Sequence, residues 1–240
     1  MKQFLTLVVA LVLTNCGVRG ADLLSNGSLD QTYQQEIVPG FFLPKPAGWV
    51  NEGSRTLTGA YEDEMSSEPW AGPAPTPDTN PDDFGVFFKA FSGGGANGPA
   101  TGHLYQDVVG TPGTMYMLTG WAGAEANYLA GRTLFAIEFL NSGNSVIGST
   151  ELDLGNLFVD NGQAFDYKQY TVTATAPANT STVRARVSMI DGISNPAGGG
   201  QAFVVDDFAL TIVPEPTSVA LGLMGLLGLL IVRRRKGAVR

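Results

Sequence analysis

Tyr170-Thr171-Val172-Thr173-Ala174-Thr175-Ala176 and, beyond the break Pro177-Ala178-Asn179, Val183-Arg184-Ala185-Arg186-Val187-Ser188-Met189 decide the fold. In each run every second residue is apolar and the residues between are Thr, Arg or Ser. A period of two puts successive side chains on opposite faces of a strand, so each run predicts a half-buried strand in an antiparallel sheet. The same logic works outward. Residues 201–213 read as a closing strand, and 84–91 as an aromatic-rich strand ended by Ser92-Gly93-Gly94-Gly95. Residues 103–109 and 114–124 are strands joined through Thr111-Pro112-Gly113, and 133–140 and 145–152 form a hairpin over the turn Asn141-Ser142-Gly143-Asn144. No internal stretch keeps a helical period beyond three turns. About eight to ten strands over some 190 residues predict an all-β chain, a sandwich of two antiparallel sheets with one core.

Composition supports this and excludes several functions. With 31 Gly and 14 Pro in 240 residues, turns are frequent and long helices rare. Residues 22–213 carry seven basic and 21 acidic side chains, a net −14. That excludes a nucleic-acid binder, which needs a cationic face, and makes divalent cations more plausible than anionic polymers as partners. One cysteine rules out disulfide-built and zinc-thiolate folds. Residues 22–83 read as irregular. Within them, 66–83 holds Pro69, Pro73, Pro75, Pro77 and Pro81 and reads as an exposed loop, because proline supplies no donor to a ladder.

The two ends are not part of the sandwich. Lys2, the apolar run 4–13 and the small residues Gly17, Gly20 and Ala21 make 1–21 a secretory signal peptide. Leu13-Thr14-Asn15-Cys16 resembles a lipobox that departs at Asn15, so lipidation of Cys16 stays open beside ordinary cleavage. The body occupies 22–212. In 213–240, Pro214-Glu215-Pro216 precedes the apolar segment 217–232, followed by Arg233, Arg234, Arg235 and Lys236. Sixteen residues are short of the roughly 20 of a comfortable span, which snorkelling arginines can extend. The basic cluster orients the segment with the body outside the cytoplasm.

The order Pro214-Glu215-Pro216, hydrophobic helix 217–232, basic cluster 233–236 resembles the bacterial PEP-CTERM sorting signal. The resemblance implies a transient membrane anchor, an exosortase-like membrane protease as partner, and release or attachment at the surface of a Gram-negative bacterium that makes extracellular polysaccharide. It covers about 27 residues of the tail.

Three further segments together resemble the jelly-roll carbohydrate-binding modules of the galactose-binding-like type. They are 24–30 with Pro46-Ala47-Gly48-Trp49, 104–108 with 112–116 and 118–121, and 175–178 with 183–187 and 204–210. This resemblance implies a jelly-roll β-sandwich and one structural calcium ion where the first strand meets the last. The ion's ligands would be Asp30 and one of Asp206 or Asp207, with carbonyls around Ser28. In a regular strand Val204, Asp206 and Phe208 share one face and Val205, Asp207 and Ala209 the other. Asp206 is the expected ligand, on the core-facing rim. Calcium takes six to eight hard oxygens, which carbonyls and one or two carboxylates can supply.

A sugar platform needs an exposed planar ring. The candidates are Trp70, in the proline-rich loop, and Trp121, before 123–127, ahead of Trp49, Tyr61, Tyr128 and Tyr167; the resemblance implies that Trp49 is a core residue, and His103 is expected at the surface. An enzyme is not expected: no nucleophile elbow, zincin motif or phosphate loop is present, and no carboxylate pair is singled out by spacing. The expected function is an exported, non-catalytic surface or matrix protein associating with polysaccharide or other surface components. A dedicated lectin module and a passive structural domain are the alternatives.

Overall fold

The computed structural model describes residues 20–53, 64–69, 83–94, 98–155 and 167–214. Twelve strands lie in these: β1 (Thr32–Val38), β2 (Phe41–Pro46), β3 (Val50–Gly53), β4 (Met65–Pro69), β5 (Phe84–Lys89), β6 (Ala100–Val109), β7 (Met115–Ala124), β8 (Arg132–Leu140), β9 (Val146–Asp153), β10 (Lys168–Thr175), β11 (Thr182–Gly192) and β12 (Ala202–Ile212). β1 and β2 form a separate hairpin, and the others make two five-stranded antiparallel sheets ordered β10-β7-β12-β5-β4 and β3-β6-β11-β8-β9. The described residues thus form an all-β sandwich.

The core lies between the five-stranded sheets. β11 contributes Val183, Ala185, Val187 and Met189, β8 contributes Phe135, Ile137 and Phe139, and Leu118, Tyr170, Val172 and Phe208 face them from the other sheet. Aromatic rings knit the layers together: Phe135 lies 5.2 Å from Phe208 and 6.0 Å from Tyr170, and Tyr116 lies 6.2 Å from Phe139. Such offset and edge-on pairs add to the burial of the rings themselves. Gly120 makes the Phe208 contact possible, because a β-carbon there would sit 2.5 Å from the Phe208 ring.

The period-two reading of 170–189 holds: the apolar set is buried and Thr171, Thr173 and Thr175 are exposed. Two expectations are corrected. Residues 22–83 are not irregular throughout, since four strands lie in their described part. The expected 66–83 loop gives up its first residues to β4, where Ser66 and Ser67 are fully buried. β4 is an edge strand, the position in which Pro69 removes no needed ladder bond. Residues 70–82, 1–19 and 215–240 lie outside the described residues, and with them Trp70, the signal peptide, Glu215, Pro216, the apolar segment and the basic cluster. Among the described residues no helix is long and apolar enough to cross a membrane.

Candidate functional site

The outward face of β3-β6-β11-β8-β9 carries a connected set of polar side chains. Register puts Glu52 opposite His103 and Val50 opposite Tyr105. Ser188 lies opposite His103, Arg186 opposite Tyr105, and Arg184 opposite Asp107. On the next strands Arg184 pairs with Glu138 and Arg186 with Ala136, which in turn faces Glu151. Cross-strand neighbours and diagonals are within reach of long side chains, so the register alone assembles the network.

Two connected groups result. In the first, Tyr105 donates its hydroxyl hydrogen to Glu52 Oε1 at 2.8 Å. Arg184 lies 3.8 Å over the Tyr105 ring and grips Asp107 with two bonds of 2.7 and 2.9 Å. In the second, Arg186 reaches Glu138 Oε1 at 2.8 Å and Glu151 Oε1 at 3.1 Å. The small Ala136 between Arg186 and Glu151 leaves room for that two-strand reach. Arg132 adds bonds of 3.2 Å to both Glu151 and Asp153. Arg186 also donates to Ser188 Oγ at 2.7 Å. Ser188 Oγ is 2.7 Å from His103 Nδ1. Burial, followed by the nearby Arg186 charge, holds the His103 pKa below the usual imidazole range. Ser188 is fully buried, so this serine–histidine contact is a brace with no route for nucleophilic attack.

The expected metal residues occupy a different place. The 26–30 turn lies against β12, with Phe208 N donating to Gly27 O at 2.7 Å. Gly27 is required there, because any β-carbon would collide with the Phe208 carbonyl. Asp30 Oδ1 accepts from Phe84 N at 3.0 Å, tying the turn to β5. Asp206 is 2% exposed. Its Oδ1 accepts from Asp207 N at 2.7 Å, and its buried Oδ2 has no hydrogen-bond partner. Desolvation, followed by the charge of Asp207 and then those of Asp83 and Asp30, pushes its carboxyl up to about 9.

The face assignment of β12 is corrected. A bulge interrupts the register between Asp206 and Ala209, and Asp207 has a φ of 48°. The extra residue shifts the alternation by one. Phe208 therefore joins Val205 in the core, whereas Val204 packs outside with Tyr167, Phe87 and Trp121. Asp206 is buried on this outer side, not on the core-facing rim.

Trp121 lies within β7, between Gln169 and Asp206 on the flanking strands. It is half-buried against the Tyr167 and Val204 cluster. Trp49 is 5% exposed and packs 5.4 Å from Phe208, as expected of a core residue. The polar face itself was not anticipated as a unit. The only signal for it in the sequence was the pair of arginines on the solvent side of 183–189.

No family model matches this chain, and neither does any curated protein. Among solved structures, the enzymatically active domain of tailspike protein 4 of bacteriophage CBA120 superposes with a TM-score of 0.50 at 13% identity, over 80% of this chain and 21% of that one. An arabinose-bound α-L-arabinofuranosidase matches with a TM-score of 0.48 at 14% identity, over 82% of this chain and 27% of that one. The carbohydrate-binding module TmCBM61, in complex with β-1,4-galactotriose, matches with a TM-score of 0.43 at 16% identity, over 79% and 97%. This chain spans about a fifth of the tailspike chain, and that likeness shows a shared fold alone.

Proposed function

We propose that this chain is an exported, non-catalytic surface or extracellular-matrix protein, and that the polar face of β3-β6-β11-β8-β9 is where it associates with polysaccharide. One observation carries the reading: hydrogen-bonding side chains cross all five strands of one sheet and hold each other in fixed positions. Five strands at about 4.8 Å spacing make a row roughly 19 Å long, room for several sugar rings. A polymer of hydroxyls gains most from donors and acceptors already oriented, because little side-chain entropy is then lost on binding. The face offers both kinds: the guanidinium groups of Arg184 and Arg186, and the carboxylates of Glu52, Asp107 and Glu138. Asp107, Glu138 and Glu151 each sit against a guanidinium, which fixes where their oxygens lie.

Export and anchoring rest on 1–21 and 213–240, with an exosortase-like protease acting near Pro214, Glu215 and Pro216. In the same reading Trp70 and Trp121 are secondary contacts for a sugar ring. One calcium ion is proposed at Asp206 and Asp30. The buried, unpartnered Asp206 Oδ2 among acidic neighbours fits a divalent cation. Among the described residues no three His, Cys, Asp or Glu side chains are arranged to hold a metal, so turn carbonyls would complete the shell.

A passive structural domain is the second reading. It is favoured by the degree to which the face's charges already satisfy each other. Affinity electrophoresis of the body through gels containing xylan, galactan, a soluble cellulose derivative or alginate separates the two. Retardation that is lost in Tyr105→Ala and Arg184→Met supports binding at the face. Retardation lost only in Trp70→Ala or Trp121→Ala moves the site to those rings. Free migration in every gel leaves the passive domain.

A further inference from the structure

One pole of the sandwich is formed by the β6–β7, β8–β9 and β10–β11 connections. Gly110 N bonds Ser181 O at 2.9 Å, Ser181 N bonds Leu140 O at 2.8 Å, and Gly113 N bonds Ala176 O at 2.8 Å. Both ends of the body leave here: Val213 N bonds Met115 O at 2.9 Å, and Gly20 lies against the Ile212 carbonyl. The residues that build this pole, 20–21, 109–115, 141–147, 176–182 and 212–214, contain no Asp, Glu, Lys or Arg. The pole is also apolar. Val109 is 87% exposed, Val146 52%, Met115 and Ile212 41% each, and Ile147 36%.

The chain beyond Pro214 says what lies opposite. Only Glu215 and Pro216 separate Pro214 from the apolar segment 217–232. Two residues span at most roughly 7 Å, and the flanking prolines stiffen them further. A body tethered so closely to a membrane-inserted segment has to present this pole to the bilayer. A charge there would be held near lipid at a desolvation cost, whereas exposed valine and methionine side chains gain by entering the interface.

We propose that the charge-free pole is a lipid-contacting surface, which seats the sandwich on the bilayer while the tail is inserted and holds the polar sheet face away from the lipid surface. The proposal rests on the reading of 217–232 as a membrane anchor. It adds to that reading a defined surface of the body and a fixed orientation.

The test uses the full chain in a Cys16→Ser background, reconstituted into phosphatidylcholine–phosphatidylglycerol vesicles. Single cysteines at Val109→Cys and Val146→Cys, and at Ser194→Cys on the opposite pole, carry an environment-sensitive fluorophore. All three positions are exposed, so the fold is not at stake. The proposal expects flotation with the vesicles, and quenching of the Val109 and Val146 labels by spin-labelled lipid roughly threefold or more above that at Ser194. Flotation with equal quenching at all three sites overturns the pole and leaves the anchor standing. Failure to float removes the anchor and the pole with it. A blue shift at Val109 without lipid quenching, accompanied by dimers in light scattering, puts a second copy on this surface and overturns the bilayer.

Discussion

Arg186→Met tests whether the polar face is built or merely solvated. The side chains of Arg186 and Glu138 are each 12% exposed, and their ion pair measures 2.8 Å. Removing the guanidinium leaves Glu138 with Arg184 Nη1 at 4.0 Å as its remaining cation. Truncating one partner of a fully buried pair costs about 3–5 kcal/mol. The residual exposure and the distant Arg184 put this case below that, at about 2–3 kcal/mol. In a body of this size 1 kcal/mol moves the melting midpoint by about 2–4 °C, so Tm should fall by roughly 4–12 °C. Glu151 keeps Arg132 at 3.2 Å and should not add to the loss. The companion variant Arg186→Met/Glu138→Leu removes both charges and leaves neither orphaned, so it should recover most of that loss. Urea and thermal unfolding of the four proteins in the cycle give the coupling, expected at about 1.5 kcal/mol or more. A double variant as destabilised as the sum of the singles would refute the reasoning, because the pair would then be two independent solvated side chains.

Calcium at 100 times its Kd should stabilise the wild type by about 2.7 kcal/mol relative to chelated protein, and Asp206→Asn should show no such gain. An unchanged wild-type midpoint would remove the metal. Burial and the Arg186 charge lower the His103 pKa in the fold, so its contribution is complete above the unfolded imidazole pKa of about 6.5 and is lost as pH falls through the lower folded value. His103→Gln should therefore flatten the acid side of the stability profile; an unaltered profile would detach His103 from it. Gly120→Val should cost about 1–3 kcal/mol or more by overpacking the Phe208 ring, read as a fall in Tm. A neutral result would mean that the inter-sheet space yields more easily than the 2.5 Å approach implies.

What the sequence revealed and what it concealed divide along physical lines. β10 and β11 were legible because one face meets the core and the other meets water, and that contrast writes a period of two into the residues. β2 and β4 were not. Pro44, Pro46 and Pro69 argue against strands unless it is known that β2 lies in a two-stranded hairpin and β4 on a sheet edge, and neither fact is local. The closing strand was found, but its facing was misread, because a bulge with positive φ at Asp207 leaves no mark in the doublets Val204-Val205 and Asp206-Asp207. Asp30 and Asp206 were singled out by resemblance; the 26–30 turn does meet β12, through the bond from Phe208 N to Gly27 O. The polar face was missed because it exists only through register. Tyr105, Arg184 and Glu52 are far apart in sequence, and nothing in any one strand says which residue will lie across from it.

The central claim is that the face of β3-β6-β11-β8-β9 binds polysaccharide, and amide and side-chain chemical-shift mapping tests it most directly. On titrating a soluble oligosaccharide of whichever polymer retards the protein, shifts should concentrate at Glu52, His103, Tyr105, Arg184, Arg186 and Glu138. Shifts confined to β10, β7 and β12 of the other sheet, or none with any polymer, would contradict it.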